Sequence, residues 1–213
     1  MTAHPSLARL VHRLAGAAPH AAPDLVTTGF PSLDRLLAGG LRRGELAVIG
    51  GDTGAGTTAL ALGIALRAAV AGHAALVLTH EATVDITWER LLAAESGVSH
   101  VALRTGVLPA DGAAALRAAA EVLAGLPLRI EVAPGGATTL TARLDDDAAL
   151  LPPLVVIDGL AGIDAPPRPV AEAQAQLLRA AKRAAVARDC AVLVTAPMTV
   201  QSAYVPPPRP ALA

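Results

Sequence analysis

The sequence predicts an α/β fold with a mostly parallel sheet flanked by helices on both faces. Two observations carry this. Short runs rich in Val, Ile and Leu alternate with longer helix-forming stretches, and the runs are apolar at successive positions, as strands covered on both faces are. A glycine-rich turn, Gly51-Asp52-Thr53-Gly54-Ala55-Gly56-Thr57-Thr58, follows one such run and opens a helical stretch, the setting of a strand–loop–helix unit.

The elements follow in order. Residues 6–15 place Leu7, Leu10, Val11 and Leu14 at helical spacing, with Arg9, His12 and Arg13 elsewhere on the wheel, so a short amphipathic helix is expected. The Ala- and Pro-rich stretch 17–23 reads as a linker. Residues 1–24 therefore form a helix-and-linker segment, 25–200 one α/β domain, and 201–213, with Pro206-Pro207-Pro208-Arg209-Pro210, a Pro-rich tail. Ser32 is expected to cap a short helix running to Ala38 and ended by Gly39-Gly40. A strand at 45–49 leads into the glycine turn, with a helix over 57–71. Then come a strand at 74–79, a helix at 85–95, a helix at 109–124, a strand at 128–132 and a helix at 138–149. A strand at 154–157 ends in Asp158, a long helix spans 170–188, and a last strand covers 191–195.

Composition bounds the function. Hydrophobic residues make up 53% of the 213, while the aromatics are only Phe30, Trp88 and Tyr204, which describes a folded, aliphatic core. The net charge of −1 offers no bulk attraction to a polyanion, so nucleic acid would need a local basic face. Lys182 is the single lysine. Cys190, alone, excludes an internal disulfide and reads as a buried, inert thiol. No stretch reaches the roughly 18 uninterrupted apolar residues of a membrane span. Arg9 and Arg13 interrupt the first apolar pattern, unlike a secretory signal. The expectation is a soluble, cytoplasmic protein without a membrane partner.

Three predicted strand ends carry chemistry, because ligands of parallel α/β sheets sit at the carboxyl edge. The first is the glycine turn. It fits Gly-x-x-x-x-Gly-Lys-Ser/Thr at every fixed position except the lysine, which is Thr57. In such a P-loop, backbone N–H groups and the helix N-terminus face phosphates, the last hydroxyl serves Mg²⁺, and the lysine neutralises the outer phosphates. Gly51 to Thr58 are thus the candidate nucleotide cradle, with Thr58 on the Mg²⁺ side; a glycine turn that binds nothing is the competing reading. The second is Leu154-Val155-Val156-Ile157-Asp158, a Walker B-like strand whose carboxylate would hold Mg²⁺ through water. The third is Thr79-His80-Glu81, where Glu81 would polarise an attacking water or, more plainly, cap the next helix. His80 is read as structural.

These residues together resemble a known family. Thr28-Gly29-Phe30-Pro31-Ser32-Leu33-Asp34-Arg35, Gly40-Leu41 and Gly44-Glu45-Leu46 look like the opening of the C-terminal ATPase domain of DnaB-type replicative helicases. His80-Glu81, Arg90-Leu91-Leu92-Ala93, Glu95-Ser96-Gly97-Val98, Leu103-Arg104-Thr105-Gly106, Val156-Ile157-Asp158-Gly159-Leu160 and Val192-Leu193-Val194-Thr195 continue in the family's order, over 26–198. RadA-like repair ATPases share the Gly-Gly-Leu opening and the P-loop, but Leu-Arg-Thr-Gly favours the DnaB side.

The resemblance implies a RecA-like P-loop NTPase core that binds ATP and Mg²⁺ and belongs to DNA replication or unwinding. Such domains form rings around single-stranded DNA with ATP between subunits. It makes Glu81 the catalytic carboxylate and pairs Thr58 with Asp158 at Mg²⁺. Single-stranded DNA, bound weakly, and a homo-oligomer or replication-protein partner are the implied partners. The helix at 6–15 would correspond to the family's linker helix.

Three departures imply impaired hydrolysis. Thr57 replaces the lysine, and Pro197 stands where the family has a γ-phosphate-sensing glutamine. The chain also stops before the region of the DNA-binding loop, the trans arginine finger and the closing strands, and the primase-interacting N-terminal domain has no counterpart. Arg42 or Arg43 is the expected compensation for the missing charge. Arg179, Lys182, Arg183 and Arg188 recur on the long helix as a DNA-facing row or a solvated face. A non-catalytic RecA-fold regulator or assembly partner, or a shortened remnant, are the other readings.

Overall fold

The computed structural model describes residues 24–133, 136–146, 150–160 and 169–198. The expected helix at 6–15, the linker and the Pro-rich tail lie outside the described residues.

The chain enters through a two-stranded antiparallel ribbon, β1 (Leu25–Val26) and β2 (Leu41–Arg42), pairing Val26 with Leu41. Sequence periodicity cannot detect strands this short. Between them lies α1 (Pro31–Leu36). Ser32 does not cap it: Phe30 holds the cap position, Pro31 supplies the pre-set φ of the first turn, and no side chain caps the helix. Asp34 reaches back instead, accepting from Thr27 Oγ1 and Thr28 Oγ1 at 2.6 Å each and from the Thr28 N–H at 2.8 Å. Gly40 is required where it stands, because a Cβ there would strike the carbonyl oxygen of Val26.

The body alternates strands and helices: β3 (Leu46–Gly51), α2 (Thr57–Val70), β4 (Ala75–Thr79), α3 (Val84–Ser96), α4 (His100–Thr105), α5 (Gly112–Ala124), β5 (Leu128–Val132), α6 (Gly136–Asp145), β6 (Leu154–Asp158), α7 (Val170–Arg188) and β7 (Ala191–Pro197). Helix α4 has no sequence counterpart above. Six residues give too little periodicity, yet Ser99 caps it by accepting from the Ala102 N–H, and Gly106 closes it in the left-handed conformation. The helix expected over 109–124 starts later, at Gly112, after a turn in which the Gly112 N–H bonds the Pro109 carbonyl. The helix expected over 138–149 begins earlier and ends at Asp145.

The five strands of the main sheet are parallel in the order β3-β7-β6-β4-β5, so the P-loop strand and the Asp158 strand are separated by β7. Period-two alternation splits their side chains between two cores. Leu76, Leu78, Val155, Ile157, Val192 and Val194 face α6 and α7, meeting Leu140, Leu144 and Leu177. Val77, Leu154, Val156 and Leu193 face α2, whose Ala61, Ala65, Ala68 and Ala69 let the helix lie close to the sheet. Trimming a fully buried aliphatic such as Leu177 or Ile157 to alanine costs about 2–5 kcal/mol. Because the strands are parallel, β3, β4, β6 and β7 all end at one edge. That edge collects the site.

Candidate functional site

The glycine loop leaves β3 and returns as the first turn of α2. Gly54 (φ +84°) and Gly56 (φ +87°) hold left-handed backbone that side chains rarely adopt, and nothing lies within 4 Å of where a Cβ would stand on either. Space over the loop is therefore open. Gly56 is the N-cap of α2 and supplies no side-chain bond, so the positive end of a 14-residue helix faces that space without a protein cap.

Thr57 brings no charge here. Its Cγ2 lies 2.7 Å from the point a Cβ on Gly51 would occupy, so the threonine leans back over the start of the loop. Thr58, one residue on, is oriented differently. Its hydroxyl donates to Asp158 Oδ1 over 2.8 Å. The Thr195 hydroxyl donates to the same oxygen over 2.9 Å. Both hydroxyls converge on Oδ1, and no described residue donates to Oδ2. Asp158 is buried at 3% exposure.

Glu81 follows β4 and completes the edge. The alternative reading of it as a helix cap does not hold, because Thr83 caps α3 by accepting from the Ile86 N–H. Burial pushes the Glu81 carboxyl above its ordinary value and the neighbouring negative Asp158 pushes the same way, against partial opposition from His80 and Arg90. Its Oε1 lies 3.2 Å from where a Cβ on Gly159 would stand. The backbone N–H of His80 reaches the Asp158 carbonyl at 3.4 Å, tying the two strand ends together.

A cleft of about 180 Å³ runs along this edge. Of the residues expected from sequence, Gly51, Asp52, Thr53, Gly54, Thr57, Thr58 and Glu81 line it. Ala55 sits in the loop, its N–H bonded to the Asp52 carbonyl. Gly56 lines an adjoining cleft, and Asp158 lies beneath, reached through Thr58. Pro197 lines the cleft opposite Gly51, without an N–H or a polar side chain to offer.

Sequence reasoning missed two residues. Thr195 stood in a quoted motif without a role; the available signal was a hydroxyl ending an otherwise apolar strand. Arg90 lines the adjoining cleft, and one helical turn of spacing could not reveal which way it faced.

The expected compensation by Arg42 or Arg43 is corrected by position. Arg43 pairs with Asp189 at 2.8 Å and bonds the Asp189 carbonyl, while Gly44 bonds the Cys190 carbonyl at the start of β7. Arg42 and Arg43 therefore lie at the amino edge, a full strand length from the loop, roughly 20 Å for six residues. Three of the four residues in the basic row of α7 are also committed to the fold, while Arg179 is exposed. Lys182 donates to the Gly44 carbonyl, Arg183 pairs with Asp145 at 3.0 Å, and Arg188 bonds the Asp146 carbonyl. Arg168, the basic residue in the stretch after Asp158, lies outside the described residues. Cys190 is buried with its thiol raised to about 11, chiefly by desolvation, and is inert as expected.

The residues fit a magnesium nucleotide. A hydroxyl and a carboxylate, hard oxygen donors joined to each other, suit a cation that keeps most of its own waters. The open glycine loop at a helix N-terminus suits phosphate oxygens. Among the described residues no cluster of His, Cys, Asp and Glu gathers a denser metal site, and no helix is long and apolar enough to cross a membrane.

Comparison with known proteins agrees with this geometry. The family model for the DnaB-like helicase C terminal domain matches residues 26–210. The replicative DNA helicase DnaB of Treponema pallidum (strain Nichols) is 36% identical over 106 residues, covering 49% of this chain and 24% of that protein. The chain therefore spans about a quarter of the length of that curated relative. Among solved structures, a DnaB-like replicative helicase described with its interactions with primase superposes with a TM-score of 0.76 at 16% identity, covering 94% of this chain and 49% of that one. The ATPase domain of G40P gives 0.76 at 17% identity, covering 92% and 71%. At such identities the superpositions establish the fold, a RecA-like α/β core.

Proposed function

Because the chain belongs to the family of DnaB-like helicase C-terminal domains, we propose that it binds ATP with Mg²⁺ at the carboxyl edge of its sheet and hydrolyses it poorly, within a replicative-helicase type of assembly on single-stranded DNA. The observation that carries this is the Thr58–Asp158 bond of 2.8 Å beneath an open glycine loop.

In this reading the N–H groups of the loop and of the first turn of α2 bind phosphate oxygens, and Thr58 and Asp158 hold Mg²⁺, which supplies neutralising charge when bound. Glu81 orients a water and accepts its proton; the upward push on its carboxyl makes it the more basic for that task. Thr57 leaves the outer phosphates without the usual lysine. A lost charge-assisted contact costs about 1.5–3 kcal/mol in a ground state, and more where charge moves in the transition state. Pro197 provides no side-chain donor at the cleft's far wall. Those two positions favour a second reading as well: a domain that holds nucleotide as a structural ligand and regulates an assembly without turnover.

The deciding measurement is calorimetric titration of ATP with and without Mg²⁺ into the wild-type chain and Thr57→Lys, followed by single-turnover hydrolysis. Micromolar-to-millimolar binding that Mg²⁺ strengthens, tightened by roughly ten- to a hundredfold in Thr57→Lys, is expected. Failure of both proteins to bind ATP would refute the nucleotide site. Brisk wild-type turnover would refute the impairment and the regulatory reading together.

A further inference from the structure

A loop that lacks its lysine still has to meet phosphate charge, and among the described residues one guanidinium lies beside it. The adjoining cleft, about 510 Å³, opens between the N-terminal turn of α2 and the helices α3 and α4. It shares Gly54, Thr57, Thr58 and Glu81 with the smaller cleft, so the two form one continuous mouth around the loop. Arg90 lines it from α3 and, among the described residues, is the only arginine or lysine lining either cleft.

We propose that Arg90 is this chain's phosphate cation, reaching from α3 into the mouth that Thr57 leaves uncharged and taking over the charge-neutralising contact of a P-loop lysine. The proposal rests on the nucleotide reading of the loop given above and adds a residue to it.

Three features support the assignment. Arg90 is exposed, and no described residue hydrogen-bonds or ion-pairs with its guanidinium, whereas Arg43, Arg143 and Arg183 are each held by a carboxylate and Arg67 lies over the Phe30 ring at 4.7 Å. Ala93 and Ala94, three and four positions on, line the same cleft; their small side chains leave room for a long arginine to swing toward the loop. Its charge already acts on Glu81, which lines both clefts, so the guanidinium is within electrostatic reach of the reacting edge. An arginine suits the task chemically, since its planar fork grips phosphate oxygens two at a time.

The test is titration of Mg²⁺-ATP into wild type, Arg90→Gln, Arg90→Lys, and the double variant Arg90→Gln with Thr57→Lys, with melting temperature as the control for folding. Arg90→Gln is expected to weaken ATP by roughly ten- to a hundredfold at an unchanged melting temperature, and Arg90→Lys by less. The double variant is expected to recover to within about threefold of wild type, because a lysine at 57 restores the charge from the loop itself. A merely structural arginine would instead lower the melting temperature when replaced by glutamine. The proposal is overturned if Arg90→Gln binds ATP as wild type does while Thr57→Lys binds more tightly; the nucleotide site then stands and Arg90 has no part in it. It is equally overturned if the double variant stays as weak as Arg90→Gln. If neither wild type nor Thr57→Lys binds, the phosphate reading of the loop falls and Arg90's role with it.

Discussion

Thr58 donates its hydroxyl to Asp158 Oδ1 over 2.8 Å, joining the first turn of α2 to the end of β6 across a hundred positions of chain. Thr195 donates to the same oxygen from β7. Three elements thereby converge on one carboxylate oxygen, leaving the other without a donor among the described residues.

Substitutions at Asp158 separate its two uses. Asp158→Asn keeps an acceptor for both threonines, so its melting temperature should stay within a few degrees of wild type while the Mg²⁺-dependent part of ATP affinity disappears. Asp158→Ala strands two hydroxyls, one of them on the buried Thr195, and should cost about 1–3 kcal/mol in addition. Chemical denaturation and titration with and without Mg²⁺ measure both. Mg²⁺ dependence surviving in the asparagine variant would show that the metal is held elsewhere.

Gly159 should tolerate no side chain. A Cβ there would collide with Thr195 Oγ1, the donor to Asp158, and would lie 3.2 Å from Glu81 Oε1 and 3.4 Å from the Thr195 carbonyl. Gly159→Ala is expected to lose about 1–3 kcal/mol in urea denaturation and to weaken nucleotide binding, because Thr195 must move. Wild-type stability in this variant would contradict the close approach of the two strand ends.

Glu81 sets a pH dependence of definite sign. Its carboxyl is raised by burial and by Asp158, so the folded chain binds this proton more tightly than the unfolded chain does. The contribution to stability is full below the unfolded value near 4.5 and is lost as pH rises through the folded one. Glu81→Gln should therefore raise the melting temperature at neutral pH, with a gain that shrinks as pH falls toward 4.5. A gain that grows on acidification would reverse the assignment. In the Thr57→Lys background the same change should cut hydrolysis by about a hundredfold or more, as loss of a general base does.

DNA binding by the isolated chain should be feeble and salt-sensitive. Lys182, Arg183 and Arg188 are tied to Gly44, Asp145 and Asp146, so the basic row of α7 is largely engaged within the fold. Fluorescence anisotropy with a single-stranded oligonucleotide should give a log–log salt slope corresponding to fewer than about four phosphates. A steep slope, or processive unwinding by the purified chain, would show that residues beyond those described carry a DNA-binding surface.

The parallel α/β class, the glycine loop after β3, and the carboxylates Glu81 and Asp158 at strand ends were all legible in the chain. Each depends on local chemistry: apolar runs of strand length, glycines where backbone must turn left-handed, and acidic residues just past a strand. The order of the motifs sufficed to name the family. Tertiary structure alone decided which of these residues meet. That β7 lies between β3 and β6 is what brings Thr195 to Asp158, and no spacing in the sequence expresses a strand order. The same holds for the cations. Arg43 is ten residues from Thr53 yet stands at the opposite edge, because the strand between them is extended, while Arg90, far along the chain, lines the mouth of the loop because α3 packs beside α2. Sequence distance along an extended strand separates groups at its full length, whereas helix packing brings distant residues together; only the folded chain shows which applies.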